Sequence, residues 1–514
     1  MTCEGVKVSQ APDSHYYIIC VRLYVIDRPV YETPAGYLNR MNVVKPIIVC
    51  WGLVLIGFAV CAQGNSALPD KGGVSDKEVA ASKDFLPARE DSLLLARLYD
   101  GYQQHYKERV DQLPSKYRKD FLEVYAERWG NVKEKFDKQE IYTPVFAQEY
   151  LDALVTEIKK ANPVLRDLSF HCYFSRSVVP NAEYIGEGII LFNMGLFQRM
   201  DNESEVAYVL GHEIAHFLLH HQENSIDKYV GAINSEEVQA GLRKIKGSEY
   251  RKREQLQKLV KGLTFDSRRH SRDHEAQADS MAVELVSNTR FDPAGALTAL
   301  ALLDKIDSIT LNMASCLRQL FDFPNYPFQK KWIAHEEGLL GGHARLSGDV
   351  QEDSLKTHPD CQARIRLLTP VINRKAAAGS MKFVVDARQF ATLQRIFRYE
   401  TIEYAYLSKE YTSSLYYTME LLQRYPGDVY LVTQVGRLMN GFYAAQKEHK
   451  LSKVAAMPSP DYSTNYNLLL QFVQNLYLEE IASISHHYLG QYHPQLDHYI
   501  LFRNVYEQSL RIDQ

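Results

Sequence analysis

Cysteine is scarce: the 514 residues hold seven, and four of them (Cys3, Cys20, Cys50, Cys61) precede residue 62. The remaining three, Cys172, Cys316 and Cys361, are too few and too scattered for a disulfide framework or a thiolate zinc site, so they read as small buried apolar residues. An excess of charge of one sign is also lacking. Lys and Arg number 59 against 63 Asp and Glu, for a net charge of −4, and no basic stripe interleaved with aromatics occurs. Nucleic acid is therefore not expected as a partner. Long apolar runs are nearly absent as well: the one that stands out, Ile47 to Val60, falls short of the about 20 residues that cross a bilayer comfortably.

That run has the form of an export signal. Met41 to Ala62 supplies Lys45 as a positive start, then the apolar stretch, then the small side chains of Val60-Cys61-Ala62 before Gln63. An uncleaved inner-membrane anchor, or lipidation of Cys61 behind the poor lipobox Phe58-Ala59-Val60, are the alternatives, and either would tie the chain to a membrane. A signal placed here makes residues 1–40 an upstream extension and Met41 the expected true start. Residues 63–86, rich in Gly, Ser, Pro and Asp, read as a tether.

What is present in force is the stretch Glu205 to His221, EVAYVLGHEIAHFLLHH, which contains His212-Glu213-Ile214-Ala215-His216 in a Pro-free apolar pattern of helical period. Two His four residues apart share a helix face, so both imidazoles can reach one Zn2+, and the Glu between them can address water at the metal. With 17 His in the chain, the pentapeptide alone could be a solvated helix face. A catalytic zinc needs a third protein ligand, and Ser271 to Asp279 supplies one on a second helical stretch. Glu275 fits as that ligand, and Asp279, four residues on, as an acceptor for a ligand imidazole N–H.

HExxH followed by ExxAD resembles metallopeptidase family 48, the HtpX/BepA/CAAX-protease type of zinc peptidase. Asn181 to Tyr184 and Gly186 to Phe192 look like that family's active-site edge strand, and Gly195-Leu196-Phe197 with Asn202 to Glu205 like its run into the zinc helix. Thr357-His358-Pro359 and Arg364-Ile365 are similar to its THP…R-I segment, so the likeness covers about residues 140–370. The chain departs from the family pattern at Ala282, usually Gly, and at His220, usually Arg. The resemblance implies one Zn2+ per chain on His212, His216 and Glu275, a small sheet whose edge pairs with an extended polypeptide substrate, and Glu213 as the proton-transferring base. It also places His358 near the open metal position, as a plug or an oxyanion donor, and Arg364 could pair with Asp279 or another cleft carboxylate.

The rest of the chain is largely helical. Pro87 to Leu113 and Lys116 to Phe136 form a leading pair, and Phe146 to Lys160 is a further amphipathic helix. Phe170 to Ser177 and Gly188 to Asn193 are the best strands. Gln222 to His270 is highly charged, with a basic run from Lys244 to Lys261 that reads as a solvated face, or as a flap or lipid-facing segment over the cleft. Asp292-Pro293 opens a helix running to Ile306; residues 322–350 look loop-like and carry His335 and His343. Beyond Gln389, Tyr411, Ser414, Leu415, Leu421, Leu422 and Pro426 sit at tetratricopeptide-like offsets, followed by Val435-Gly436. Tyr462 to Leu510 is helical, with a break expected at His493-Pro494.

The expected fold class is α+β, mostly α. A signal peptide at 41–62 and a tether at 63–86 lead to a helical segment at 87–140, a zinc metallopeptidase domain at 141–375 and a helical, tetratricopeptide-like domain at 380–514. The expected function is an exported zinc metalloendopeptidase of the periplasm or envelope, with a protein partner possible at the C-terminal helices. A chaperone or binding scaffold with a latent zinc site is the alternative.

Overall fold

Two short strands whose central positions, Cys172 to Phe174 and Ile189 to Phe192, are apolar on both faces require cover on both sides, and the chain supplies it. The computed structural model describes residues 85–89, 91–247, 272–305, 311–334, 361–375, 379–459 and 462–513. The expectations for the upstream extension, the signal, most of the tether, the segment 248–271, His335, His343 and His358 lie outside these residues. Among the described residues no helix is long and apolar enough to cross a membrane.

The sheet has four strands, β1 (Ile141–Tyr142), β2 (His171–Ser175), β3 (Ala182–Gly186) and β4 (Ile189–Asn193), in the order β1-β2-β4-β3. β2 and β4 are parallel; the outer pairings are antiparallel. Successive side chains point to opposite faces. Cys172, Phe174, Ile190 and Phe192 therefore enter one core, beneath α3 (Val145–Ala161) and α5 (Glu203–Leu218), with the short α4 (Met194–Phe197) between sheet and helix. Tyr173, Ile189 and Leu191 enter another, covered by the leading pair α1 (Ser92–Asp111) and α2 (Arg118–Asp137). The α3 face reads Ala147, Tyr150, Leu151, Leu154, Val155 and Ile158, the stripe a 3.6-residue period gives.

β3 is an edge strand. Asn193 N–H donates to Asn181 O at 3.1 Å, and alternation from that pair turns the N–H and C=O of Ala182 and Tyr184 away from β4. A bulge between Tyr184 and Gly186 ends the regular register. There the Ile185 carbonyl accepts from Tyr102 Oη (3.1 Å) and from Arg128 Nε and Nη2 (3.3 and 3.2 Å), so the leading helices clamp the strand's end. Gly186, at φ +100, has the Arg128 guanidinium where a Cβ would stand.

After α5 come α6 (His221–Ile233) and α7 (Glu236–Gly247), then α8 (272–287), α9 (Gly295–Lys305), α10 (Met313–Phe321) and α11 (Cys361–Arg374). The C-terminal part is α12 (Ala387–Leu407), α13 (Tyr411–Arg424), α14 (Val429–Lys447), α15 (Thr464–Asn475), α16 (Leu478–Leu496) and α17 (Ile500–Ile512). The expected break at Pro494 is not where the chain turns. α16 runs through it to Leu496, because a proline in the last turn costs little ladder, and the turns fall at residues 476–477 and 497–499.

The mostly α, α+β class holds, but the two large cores do not divide at one point of the chain. Phe390, Leu393 and Phe397 of α12 belong to the sheet-side core, Tyr399 and Ile402 of the same helix to the C-terminal core. Residues 311–334, which precede α11, also belong to the C-terminal core, with Trp332 fully buried and its Nε1 donating to Glu480 Oε1 at 3.0 Å.

Candidate metal centre

Helix α5 is buried almost all round, every residue from Glu203 to Ala215, and lies at the centre of the sheet-side core. Asn202 caps it, accepting from Glu205 N at 3.2 Å. Its Gly211 faces Ala282 of α8, and a Cβ at 211 would meet the Ala282 backbone at 3.5 Å. The methyl at Ala282 is thus accommodated by a glycine on the opposite helix, which keeps α5 and α8 close enough to share a site.

At that crossing His212 and His216, one turn apart, bring their Nε2 atoms to 3.0 Å. Glu275 of α8 offers Oε2 at 3.4 Å from His212 Nε2 and Oε1 at 3.5 Å from His216 Nε2. All three ligand atoms lie within 4.8 Å of one another, the one such cluster of three or more His, Cys, Asp or Glu among the described residues.

Asp279 turns to the same place. Its Oδ1 lies 3.0 Å from His212 Nδ1, a hydrogen-bond separation although the ring is turned off the ideal line. Tyr208 Oη donates to the same oxygen at 2.7 Å, and Arg364 forks onto the carboxylate through Nε and Nη2 at 2.8 and 2.6 Å. Arg364 Nη1 also reaches Glu275 Oε2 at 3.2 Å. His216 uses a different partner: its Nδ1 lies 3.1 Å from Nδ1 of His221.

The electrostatics favour positive charge at the cluster. Burial opposes ionisation of Asp279, but Arg364 and His212 outweigh it and hold the carboxyl well below its ordinary range. Burial likewise opposes ionisation of Glu275, which the His212 charge and hydrogen bond and the Arg364 guanidinium keep strongly acidic. At His212 burial works against the imidazolium, yet Glu275 and the hydrogen bond to Asp279 raise it to about 10. Carboxylates arranged to stabilise a proton between two imidazoles stabilise a metal cation there as well. Two imidazole nitrogens and one carboxylate also form the donor set of catalytic zinc. The residues fit the ion.

Glu213, 9% exposed, faces β3: its Oε2 accepts the Tyr184 N–H at 2.8 Å. Burial raises its pKa, partly offset by His216 and His212, and so moves it toward what a general base at neutral pH requires. The structure thus brings together His212, Glu213, His216, Glu275, Asp279 and Arg364. Tyr208, His221 and Gln277 are contacts that sequence reasoning did not single out. Spacing alone gave a hint only for Tyr208, four residues before His212 and so on the same face.

Residues 147–371 match the model of peptidase family M48. A similar curated protein is the beta-barrel assembly-enhancing protease of Yersinia pestis, 22% identical over 390 residues, which span 68% of this chain and 70% of that protein.

Proposed function

We propose, from the premise that this chain belongs to peptidase family M48 through residues 147–371, that it is an exported zinc-dependent endopeptidase of misfolded or unassembled envelope proteins. The observation that carries the chemistry is the convergence of His212, His216 and Glu275 within 4.8 Å beside the buried Glu213. His212, His216 and Glu275 would hold a zinc ion, which would supply Lewis acidity toward water and the scissile carbonyl. Glu213 takes the proton of the attacking water and passes it to the leaving amine. Asp279, itself fixed by Arg364 and Tyr208, holds the His212 ring. The outward N–H and C=O of Ala182 and the outward C=O of Tyr184, whose N–H is held by Glu213, bind an extended segment by strand addition, which reads backbone and suits unfolded polypeptide of varied sequence. His358 is assigned to the developing oxyanion on the family resemblance. The envelope setting rests on the signal-like segment 41–62 and on the name of the Yersinia pestis relative.

The test is zinc content and cleavage of an unfolded protein by the parent and by Glu213→Gln. One zinc in each, with proteolysis by the parent only, is the expected result. Zinc in both with cleavage by neither would turn the reading toward a chaperone with a latent site, and zinc in neither would remove its basis.

A further inference from the structure

The two imidazoles of the HExxH pair are held in different ways. His212 turns Nδ1 toward a carboxylate; His216 turns Nδ1 toward another imidazole, His221, at 3.1 Å. A contact of that length between two ring nitrogens carries one proton, and which ring donates it decides whether His216 keeps a lone pair on Nε2.

His221 can be read from its far side. Its Nε2 lies 3.1 Å from Gln277 Oε1, an amide oxygen that can only accept, so the His221 proton sits on Nε2. The ring is 4% exposed and stacked on His274 at 4.2 Å and 7°, surroundings in which a neutral imidazole is favoured over a charged one. A neutral ring protonated at Nε2 presents a bare Nδ1. That nitrogen must accept, so His216 donates from Nδ1 and its Nε2 lone pair points at His212 Nε2 and Glu275.

The backbone is shaped to bring this about. His220, in the left-handed region at φ 51, closes α5 and starts α6, which returns His221 beside the last turn of the helix that carries His216.

We infer that His221, set by Gln277, is a positioning residue that locks His216 in the Nδ1–H tautomer and so prepares it to ligate metal. The inference rests on the metallopeptidase reading, and it assigns to His216 the service that Asp279 gives His212.

The experiment measures zinc affinity of the metal-stripped full chain by chelator competition, for the parent, His221→Phe, Gln277→Leu and Gln277→Glu. Loss of such a partner to a ligand His typically weakens metal binding about 10- to 100-fold, which is the expectation for His221→Phe. Gln277 is on the surface, where water can substitute in part, so Gln277→Leu should lose about three- to tenfold, and Gln277→Glu, which keeps an acceptor oxygen, should match the parent. His221→Phe within twofold of the parent would overturn the inference. Should that variant not fold, long-range 15N–1H spectra of the zinc-loaded parent decide, since they read tautomers directly: protons on His216 Nδ1 and His221 Nε2 support it, and a proton on His221 Nδ1 refutes it. A parent that takes up no zinc would instead bring down the metal-site reading itself.

Discussion

Each ligand imidazole has its second nitrogen committed, so the site is sensitive to atoms one shell away from the metal position. Asp279→Asn keeps the shape and the Tyr208 contact but removes the charge facing His212 Nδ1; zinc affinity should fall about 10- to 100-fold by chelator competition, with the far-UV spectrum unchanged. The raised pKa of His212 gives a second outcome. In the metal-free chain its proton stays on until pH approaches about 10, and zinc must displace it. The logarithm of zinc affinity should therefore rise by about one per pH unit between about pH 7 and about pH 9; a flat profile would show that His212 is already neutral. His212, His216 and Glu275 could be read from sequence because ligands one helical turn apart impose a spacing. His221 and Gln277 could not, because their contact spans 56 positions and exists only once α5, α6 and α8 have docked.

Docking of whole elements sets the distances between ligands. Because α8 brings Glu275 to α5 across the Gly211–Ala282 contact, the size of residue 211 should control the metal site from one side of the crossing. A methyl there meets Ala282 at ordinary van der Waals distance, so Gly211→Ala should be tolerated. Gly211→Leu must push the helices apart, at a cost of roughly 1–3 kcal/mol in stability with weaker zinc binding, measured by denaturant unfolding and chelator competition on one preparation. The base of α5 is fixed differently. Glu203, fully buried, accepts from Tyr150 Oη and from the backbone N–H groups of Val384, Val385 and Asp386 at 2.6–2.8 Å, which pins the start of α12 to the zinc helix. Glu203→Ala strands four donors and should cost roughly 3–5 kcal/mol. The spans of α2, α3, α5 and α9 were legible to within a few residues, since periodicity and caps are local, whereas the short α4 and α10 were not. The bulge in β3 and the passage of α16 through Pro494 were not, because the first is set by Arg128 and Tyr102 from another layer and the second by how little helix remains beyond the proline.

At the scale of the molecule, the question is whether the sheet-side and C-terminal cores are separate folding units. Composition suggests a change of character near residue 380, but the packing argues against a clean division there. α12 contributes to both cores, and 311–334 carries Phe321, stacked on Phe472 at 5.4 Å and 4°, together with Trp332 on Glu480. A buried Arg176–Glu400 pair at 3.3 Å joins the end of β2 to α12, and Ala88 N–H donates to the same Glu400 at 2.7 Å. Removing that carboxylate leaves Arg176 buried without it, so Glu400→Ala should cost about 3–5 kcal/mol. It should do so without splitting the transition, because shared helices and crossing segments couple the two cores. Trp332 reports the C-terminal core and far-UV ellipticity the whole chain, so in a background with both Trp51→Phe and Trp129→Phe the two urea midpoints should coincide. Residues 380–514 alone, deprived of Trp332 and Phe321, should unfold with low cooperativity, whereas 311–514 recovers them. Separate midpoints, or a sharp transition from 380–514, would mean that the C-terminal helices fold on their own and that α12 is only a bridge.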